Sequence, residues 1–161
     1  MSENLKQTIV KATVALGIAV LSALPFLVSC NYGLCFIDDY CYLYDHSFIR
    51  NGLSFEGLCK TFTFIEEGIW MPFTFFTYML DHTIGWGAGG MHLVNILIHS
   101  ANAAMLFYVL ARLAKSNNGW GIVTAIVATL LWAIHPLRVE SVVWVASRKD
   151  ELSTFFLRLR A

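Results

Sequence analysis

Residues 91–113 of this chain read MHLVNILIHSANAAMLFYVLARL. A helix of about 20 predominantly apolar residues crosses the hydrocarbon core of a bilayer, and this run is long enough to do so. Its polar side chains before Arg112 are histidine, asparagine and serine, with no acid or strong base among them. The sequence therefore predicts a membrane-spanning helix over residues 91–113.

The composition of the whole chain agrees with a membrane protein. Of 161 residues, 57% are hydrophobic and only 14% are charged, whereas soluble domains carry about 25% charged residues. The 11 basic residues balance the 11 acidic ones, so no basic excess is present to neutralise a nucleic-acid backbone. These values exclude a soluble globular domain, a disordered chain and a nucleic-acid partner.

Two further apolar runs flank this helix, at residues 12–30 and 121–134. The first also fits a cleaved signal peptide, but it is long for one and no A-x-A site follows it, which favours a retained anchor. The other run is short and stops before Pro136, a residue that ends helices. We predict an all-α, polytopic membrane protein with a helical outer loop and three spans, at about residues 10–30, 91–113 and 120–135.

Basic residues indicate the orientation of these spans. Lys6 and Lys11 precede the first run, and Arg112 and Lys115 lie between the second and third. By the positive-inside rule both segments are cytoplasmic, so the N-terminus is cytoplasmic as well. Residues 31–90 and the stretch after the third run then face the other side of the membrane.

The predicted outer loop is ordered. Ser54 can cap a helix in which Leu58, Phe62 and Ile65 share one apolar face. Residues 70–80 are aromatic and uncharged, a pattern typical of segments that lie along the membrane interface.

The four cysteines occur within the first 59 residues, without a C-x-x-C pair and without a histidine at zinc-ligand spacing. This pattern gives no reason to expect a metal site. We expect small buried hydrophobic residues, and the alternative is a disulfide among three of the cysteines on the outer side. The cysteines are Cys30, Cys35, Cys41 and Cys59.

Two adjacent carboxylates, Asp38 and Asp39, follow the first span closely. Adjacent carboxylates near an apolar surface can have separated pKa values, and one of them can then act as a general base. A solvated pair or a helix cap is the simpler interpretation. Their position near the bilayer surface favours a catalytic role, because a lipid-linked substrate presents its head group there.

Four polar residues of the second span, His92, Asn95, His99 and Asn102, recur at helical spacing and share one face. Polar groups within a membrane join helices or line functional cavities. We expect both roles, with His92, Asn95 and His99 among the cavity-lining residues. A metal site is disfavoured because no carboxylate shares the face.

A charged cluster follows the third span, and it contains three bases on the side that the positive-inside rule disfavours. Phosphate binding would explain these bases, since arginine offers a planar fork and lysine a point charge. Internal ion pairs, Arg138 with Glu140 and Arg148 or Lys149 with Asp150, are the alternative. The predicted phosphate-binding residues are His135, Arg138, Arg148 and Lys149, with Glu140 lining the cavity.

Residues 135–156, HPLRVESVVWVASRKDELSTFF, resemble a signature of the transmembrane-and-tetratricopeptide O-mannosyltransferases and their bacterial relatives, which have a GT-C glycosyltransferase fold. The resemblance extends upstream in the same order. FIDDYCYL at 36–43 is similar to the acidic motif of the family's first outer loop, WMPFTFFTYMLDHTIG at 70–85 to a segment usually written with Pro-Leu, and MHLVNILIH at 91–99 to its His-x-x-Asn-x-x-x-His helix.

The resemblance implies sugar transfer from a polyprenyl- or dolichyl-phosphate carrier to an acceptor hydroxyl, on a polypeptide, at the non-cytoplasmic face. Asp38 or Asp39 matches the family's acidic catalytic motif, and no cofactor beyond the lipid-linked donor is implied. The protein would lie in a bacterial inner membrane or the endoplasmic reticulum. Residues 1–161 would form a partial GT-C-like domain, in which 150–161 are a truncated fourth helix and the tetratricopeptide repeats expected downstream are absent, so we expect these residues alone to be inactive.

Two other classes of protein remain as alternatives. A non-enzymatic membrane assembly or scaffold protein would tolerate asparagine at both aspartates. A small transporter would use the histidine–asparagine face as a path across the membrane, but that face stops halfway along the span.

The charge bias predicts that residues 31–90 and 135–150 are extracytoplasmic and that Lys115 is cytoplasmic. In a background with the native cysteines replaced by serine, a membrane-impermeant thiol reagent should label Gly68→Cys but not Ser116→Cys in intact cells. Labelling of position 116 from outside would contradict this topology.

Overall fold

The computed structural model describes residues 2–114 and 119–160. Within those residues every named secondary-structure element is a helix. The only sheet-type pairing there is an isolated antiparallel bridge between Glu66 and Ile69. The prediction of an all-α fold is confirmed. Lys115, on which part of the predicted orientation depends, lies outside the described residues.

The helices follow one another along the chain with short connections. They are α1 (Glu3–Ala23), which continues as a 3₁₀ segment (Leu24–Asn31), α2 (Asp38–Tyr44), α3 (Ser47–Arg50), α4 (Phe55–Thr63), α5 (Pro72–Ile84), α6 (Ala88–Leu113), α7 (Trp120–Ala133), α8 (Arg138–Val143), a 3₁₀ turn (Val145–Ser147) and α9 (Arg148–Leu159).

Two helices of the described chain are long and apolar enough to cross a membrane: the continuous helix Glu3–Asn31 and α6. The third predicted span corresponds to α7, which has 14 residues. At about 1.5 Å per residue it extends about 21 Å, less than the ~30 Å hydrocarbon core. A protein with three spans therefore stays a prediction.

The long helices pack through small side chains. Ala15 of α1, Ala103 of α6 and Ala125 of α7 are buried in one cluster, with Ile18 and Phe107 beside them. Small residues let helix backbones approach closely, which is how helices associate when both sides are apolar. The opposite face of α1 exposes large apolar side chains, as a lipid-facing surface would.

The segment between the two long helices forms a second core. Leu43 of α2, Ile49 of α3 and Phe75 and Tyr78 of α5 are fully buried together with Val145 from the 3₁₀ turn. Residues 70–80 therefore differ from the predicted interfacial segment, because α5 turns one face into this core. Its other side chains, such as Phe73, remain exposed, as does Trp70 just before the helix.

Helix α4 begins as predicted but buries a different face. The Ser54 hydroxyl accepts a hydrogen bond from the Gly57 N–H at 3.0 Å, so the cap is confirmed. The predicted apolar face is wrong: Phe62 is exposed, Ile65 lies beyond the helix end, and Gly57 and Thr61 are buried instead. Glycine lets α4 pack closely there, because a Cβ at residue 57 would lie 2.6 Å from the methyl carbon of Met79 and 3.2 Å from the Phe48 carbonyl oxygen.

The cysteines are free, and none of the four is fully buried. Cys35 and Cys59 are exposed, while Cys30 and Cys41 are half-buried. The expectation of small buried hydrophobic residues is therefore wrong, and the alternative disulfide is not formed in this structure.

Candidate functional site

Residues from three separate sequence motifs line one cavity of about 290 Å³ on the predicted outer side. Asp39 comes from α2, His92 from the second turn of α6, and Glu140 from α8. The rest of the wall is the 32–35 turn with Val139, Val143 and Trp144. The sequence motifs contain all three polar residues, and the fold brings them together.

Close backbone packing places the 32–35 turn beside α6. A Cβ at Gly89 would lie 2.5 Å from the Cys30 carbonyl oxygen, so only glycine lets the start of α6 come this near to the 3₁₀ segment. The chain after that segment then passes over His92, whose Nε2 lies 3.4 Å from the Gly33 carbonyl oxygen.

The structure distinguishes the two adjacent aspartates. Asp39 is 1% exposed, and its Oδ2 and Oδ1 accept hydrogen bonds from the N–H groups of Cys35 and Ala146, both at 2.7 Å. Burial raises the pKa of the Asp39 carboxyl above its ordinary value, although these two N–H donors and His92 oppose the rise. Asp38 is partly exposed.

The polar face of α6 is buried along its length, as its spacing predicts. Asn95 donates to the Trp144 carbonyl at 3.1 Å, and Asn102 donates to Glu151 Oε2 at 2.7 Å. Of the three residues expected to line a cavity, only His92 lines this one. Asn95 and His99 join helices instead, because their polar atoms contact α7, α9 and Trp144, just before the 3₁₀ turn.

His99 makes the most enclosed of these contacts. Its Nε2 lies 3.0 Å from the Ala133 carbonyl oxygen and its Nδ1 lies 3.2 Å from Glu151 Oε1. A carbonyl oxygen only accepts, so Nε2 carries a proton and a second proton is shared between Nδ1 and Glu151. Trp132 stacks on the imidazole ring, with the two ring centroids 5.3 Å apart. A carboxylate from α9 therefore reaches the face on which the sequence placed none.

Arg148, the first residue of α9, is fully buried where α9 meets α5 and α6. It donates to Asp81 at 2.6 Å, to Asn95 at 2.7 Å, to the Met91 carbonyl at 3.0 Å and to Thr77 at 3.2 Å. Every nitrogen of its guanidinium is thus engaged by the protein. The phosphate-binding role predicted for Arg148 is replaced by a structural one, and its predicted pairing with Asp150 by the pair with Asp81.

The other predicted phosphate-binding residues are accessible but lie outside the walls of the cavity. His135 is exposed, and the Arg138 guanidinium carbon lies 5.1 Å from the Trp132 ring centroid. Lys149 borders a different groove of about 420 Å³, beside Trp70 and Phe73. Among the described residues Arg138 forms no ion pair with Glu140, and Lys149 forms none with Asp150.

Sequence reasoning missed the partners of the buried polar groups. Asp81 is one of seven acids in the outer segment, Glu151 follows the charged cluster, and Trp144 reads as apolar packing. The polar face of α6 signals that partners are needed, but spacing along one helix does not identify residues from another. In the described part of the chain, no group of three or more histidine, cysteine or acidic side chains could hold a metal ion.

These features define a membrane-associated, all-helical protein with a largely apolar cavity that Asp39, His92 and Glu140 border. Its sequence is similar to the protein O-mannosyl-transferase Tmtc2 of Drosophila melanogaster, with 34% identity over 53% of this chain and 9% of that protein. It is also similar to TMTC4 of Mus musculus, with 28% identity over 73% of this chain and 16% of that protein. The family resemblance is therefore confirmed at the level of these partial alignments.

The similarity covers a limited part of those proteins. The chain spans less than a fifth of the length of the curated relatives that it matches. For human TMTC1 the alignment has 34% identity over 42% of this chain and 7% of that protein. No protein-family model matches the chain, and no solved structure is significantly similar to it.

The buried pair of Arg148 and Asp81 generates a stability prediction. Arg148→Met should lower the free energy of unfolding by about 3–5 kcal/mol, because it leaves the Asp81 carboxylate buried without its partner. Lys149→Met is the matched control and should cost about 1 kcal/mol or less, since this partly exposed ammonium lies 5.2 Å from the Tyr42 ring and forms no ion pair among the described residues. The measurement is denaturant-induced unfolding in detergent micelles.

Lowering the pH should reduce the loss in free energy of unfolding that Arg148→Met causes. Burial raises the pKa of Asp81 and Arg148 opposes the rise, so removing Arg148 moves the folded-state pKa further up. An acid whose pKa is higher in the folded state binds more protons there, and stability then falls as the pH rises from the ordinary aspartate pKa to the raised one. A deficit equal to that of Lys149→Met, or independent of pH, would contradict this role.

Proposed function

We propose that this chain forms part of a membrane glycosyltransferase of the GT-C type. The transferred group is a sugar, carried by a polyprenyl or dolichyl phosphate, and the acceptor is a serine or threonine hydroxyl of a polypeptide on the non-cytoplasmic face. The names of the similar proteins, protein O-mannosyl-transferases, support sugar transfer at the family level. The observation that carries the proposal is the cavity shared by Asp39, His92 and Glu140.

The position of the cavity suits a lipid-linked donor. It lies between the end of the first long helix and the start of α6, next to the ends of the two long apolar helices. In the proposed topology α7 is a third span and the N-terminus is cytoplasmic, so the cavity opens at the outer membrane surface. A polyprenyl chain could stay in the bilayer while its phosphate and sugar reach the cavity.

The chemistry needs two charges of opposite sign. The acceptor oxygen attacks the anomeric carbon as its proton is taken up in the cavity, and the carbon–oxygen bond to the lipid phosphate breaks with its electron pair remaining on the phosphate. Asp39 supplies a fixed negative charge in the cavity wall, where it stabilises the positive charge of the transferred proton. Arg138, which directly precedes the cavity-lining Val139 and Glu140, is proposed to stabilise the departing phosphate, with His135 and Lys149 as further candidates.

The contacts of the polar α6 face weigh against a transporter. Asn95, His99 and Asn102 are buried and donate or share hydrogen bonds with neighbouring elements, so these groups join helices rather than face an open path. A scaffold protein would need the hydrogen bonds of Asp39 for folding alone, and it would not bind a lipid-linked sugar in the cavity.

Removal of the Asp39 charge provides a test of sugar transfer. In membranes that contain the complete protein, Asp39→Asn should lower transfer from a polyprenyl-phosphate mannose by at least ~100-fold. Asp38→Asn should have a much smaller effect, because that carboxylate is partly exposed and does not line the cavity. Asp45→Asn, an exposed residue after α2, is the control.

An asparagine at residue 39 also places its NH2 group, a donor, against the N–H of Cys35 or Ala146, so one hydrogen bond is lost and the fold can be weakened. Protein yield and unfolding must therefore be measured alongside turnover. Near-normal turnover of both Asp38→Asn and Asp39→Asn would contradict the enzyme proposal.

The proposed role of Arg138 predicts an effect on donor affinity. Arg138→Lys should weaken binding of a polyprenyl-phosphate sugar by about tenfold or more, because one ammonium does not replace a planar fork that is worth about 1.5–3 kcal/mol per charge-assisted contact. Titration of the lipid into purified protein measures this. Arg50→Lys, in the exposed last turn of α3, is the matched control.

Arg138→Ala should bind the donor more weakly still, since it also removes the charge. Arg138 also packs on the Trp132 ring, with its guanidinium carbon 5.1 Å from the ring centroid, so unfolding of the variant is measured alongside donor affinity to separate lost packing from a lost donor contact. Unchanged affinity in folded Arg138→Ala would move the phosphate to the groove beside Lys149.

A further inference from the structure

We propose that Nδ1 of His92, and not a carboxylate oxygen of Asp39, receives the proton of the acceptor hydroxyl. The inference rests on the proposed function, because it names the base of that same cavity. Asp39 then has a different role, which is to hold the walls of the cavity together and to balance the charge that His92 acquires. The sequence alone predicts only the two aspartates as bases.

The hydrogen bond to Gly33 determines which imidazole nitrogen is available. The Gly33 oxygen is a carbonyl acceptor, so His92 Nε2 must carry the hydrogen across their 3.4 Å separation. In the neutral ring Nδ1 then holds a lone pair. This nitrogen is buried and has no hydrogen-bond partner among the described residues. Because His92 lines the cavity, the inference assigns this unpartnered lone pair to the proton of a bound hydroxyl, which reaches it when the ligand enters the wall.

Both oxygens of Asp39 are already occupied. Each accepts a backbone N–H at 2.7 Å, one from Cys35 and one from Ala146. A proton on either oxygen would turn a strong charge-assisted acceptor into a weak neutral one and loosen a wall of the cavity. As a carboxylate, Asp39 instead stabilises the imidazolium that forms when His92 takes up the proton.

The other charged groups around the ring are less suited to accept the proton. Glu140 lines the same cavity but is exposed, so water competes for its carboxylate. Asp38 is partly exposed and outside the lining. Arg148, which binds the carbonyl of the neighbouring Met91, is a cation without acceptor capacity.

A second unpartnered group in the cavity wall indicates that a polar ligand binds there. Nε1 of Trp144 is buried without a partner in the described chain, and indole nitrogen is a donor only. His92 and Trp144 both line the cavity, so the inference assigns a bound ligand one acceptor, His92 Nδ1, and one donor, Trp144 Nε1. A sugar or an acceptor hydroxyl can satisfy both.

The proposed step balances as follows. The acceptor O–H bond breaks and its proton binds His92 Nδ1, while the oxygen forms a bond to the anomeric carbon. The bond from that carbon to the phosphate oxygen breaks, and its electron pair leaves with the lipid phosphate. The imidazolium then returns its proton to the phosphate or to water, which restores the neutral ring.

Chemical rescue distinguishes the two candidate bases. In the complete protein, His92→Ala should lower kcat for mannosyl transfer by at least ~100-fold, while KM for the polyprenyl-phosphate mannose changes less than about threefold. Added imidazole should restore a measurable part of kcat in His92→Ala and leave the wild type unchanged. Formate should not rescue Asp39→Ala, because that variant loses the hydrogen bonds to Cys35 and Ala146 as well as the charge.

A measurement without turnover tests the same assignment. Nuclear magnetic resonance of the protein with ¹⁵N-labelled histidine, in micelles, should show the Nε2–H tautomer for the ring whose signals disappear in His92→Gln. An Nδ1–H tautomer would overturn the inference, since no lone pair would then be available at that atom.

The outcomes separate the inference from the proposed function. Near-normal kcat of His92→Ala, or rescue of Asp39→Ala or Glu140→Ala by formate, would overturn the role of His92 while transfer by the wild type still supports a glycosyltransferase. No transfer by the folded wild-type protein would overturn both.

Discussion

The buried guanidinium of Arg148 is the interaction on which the rest of this structure depends. It binds Asp81 and Thr77 of α5, Asn95 of α6 and the carbonyl of Met91. A charge at this depth is tolerated only when it is paired and fully hydrogen-bonded. These requirements determine how the start of α9 packs against α5 and α6.

The cavity follows from that arrangement. With α9 held at Arg148, the preceding 3₁₀ turn lies where the Ala146 N–H reaches Asp39 and where the Trp144 carbonyl receives Asn95. Asp39 then ties the turn to Cys35 on the opposite wall. One aspartate and one arginine, each satisfied by several elements, therefore bring together chain segments that are distant in sequence. The chemistry proposed for His92 depends on this rigidity.

The sequence predicts the helical class and much of the position of the site, for physical reasons. The length of the apolar run at residues 91–113 identifies α6. The helical spacing of its histidines and asparagines predicts that they share a buried face. Their partners could not be predicted, because Asp81 and Glu151 come from helices whose relative placement no local pattern encodes. The same limit explains Arg148, which reads as a surface cation in a run of charges but is enclosed by tertiary contacts. On α4, the face that carries the small residues Gly57 and Thr61 is buried instead of the apolar pattern of Leu58, Phe62 and Ile65.

The hydrogen bond between Asp39 and Ala146 has a consequence for how the protein is made. The two residues are separated by 107 positions, and a chain emerges from the ribosome in order. While only residues 1–90 have been made, Asp39 lacks the Ala146 donor and the cavity lacks the wall that Glu140 and Trp144 supply. The cavity can therefore close only after α7 has been made and the turn at 145–147 has reached Asp39. Until then a partly synthesised chain would carry the carboxylate without the enclosed site around it.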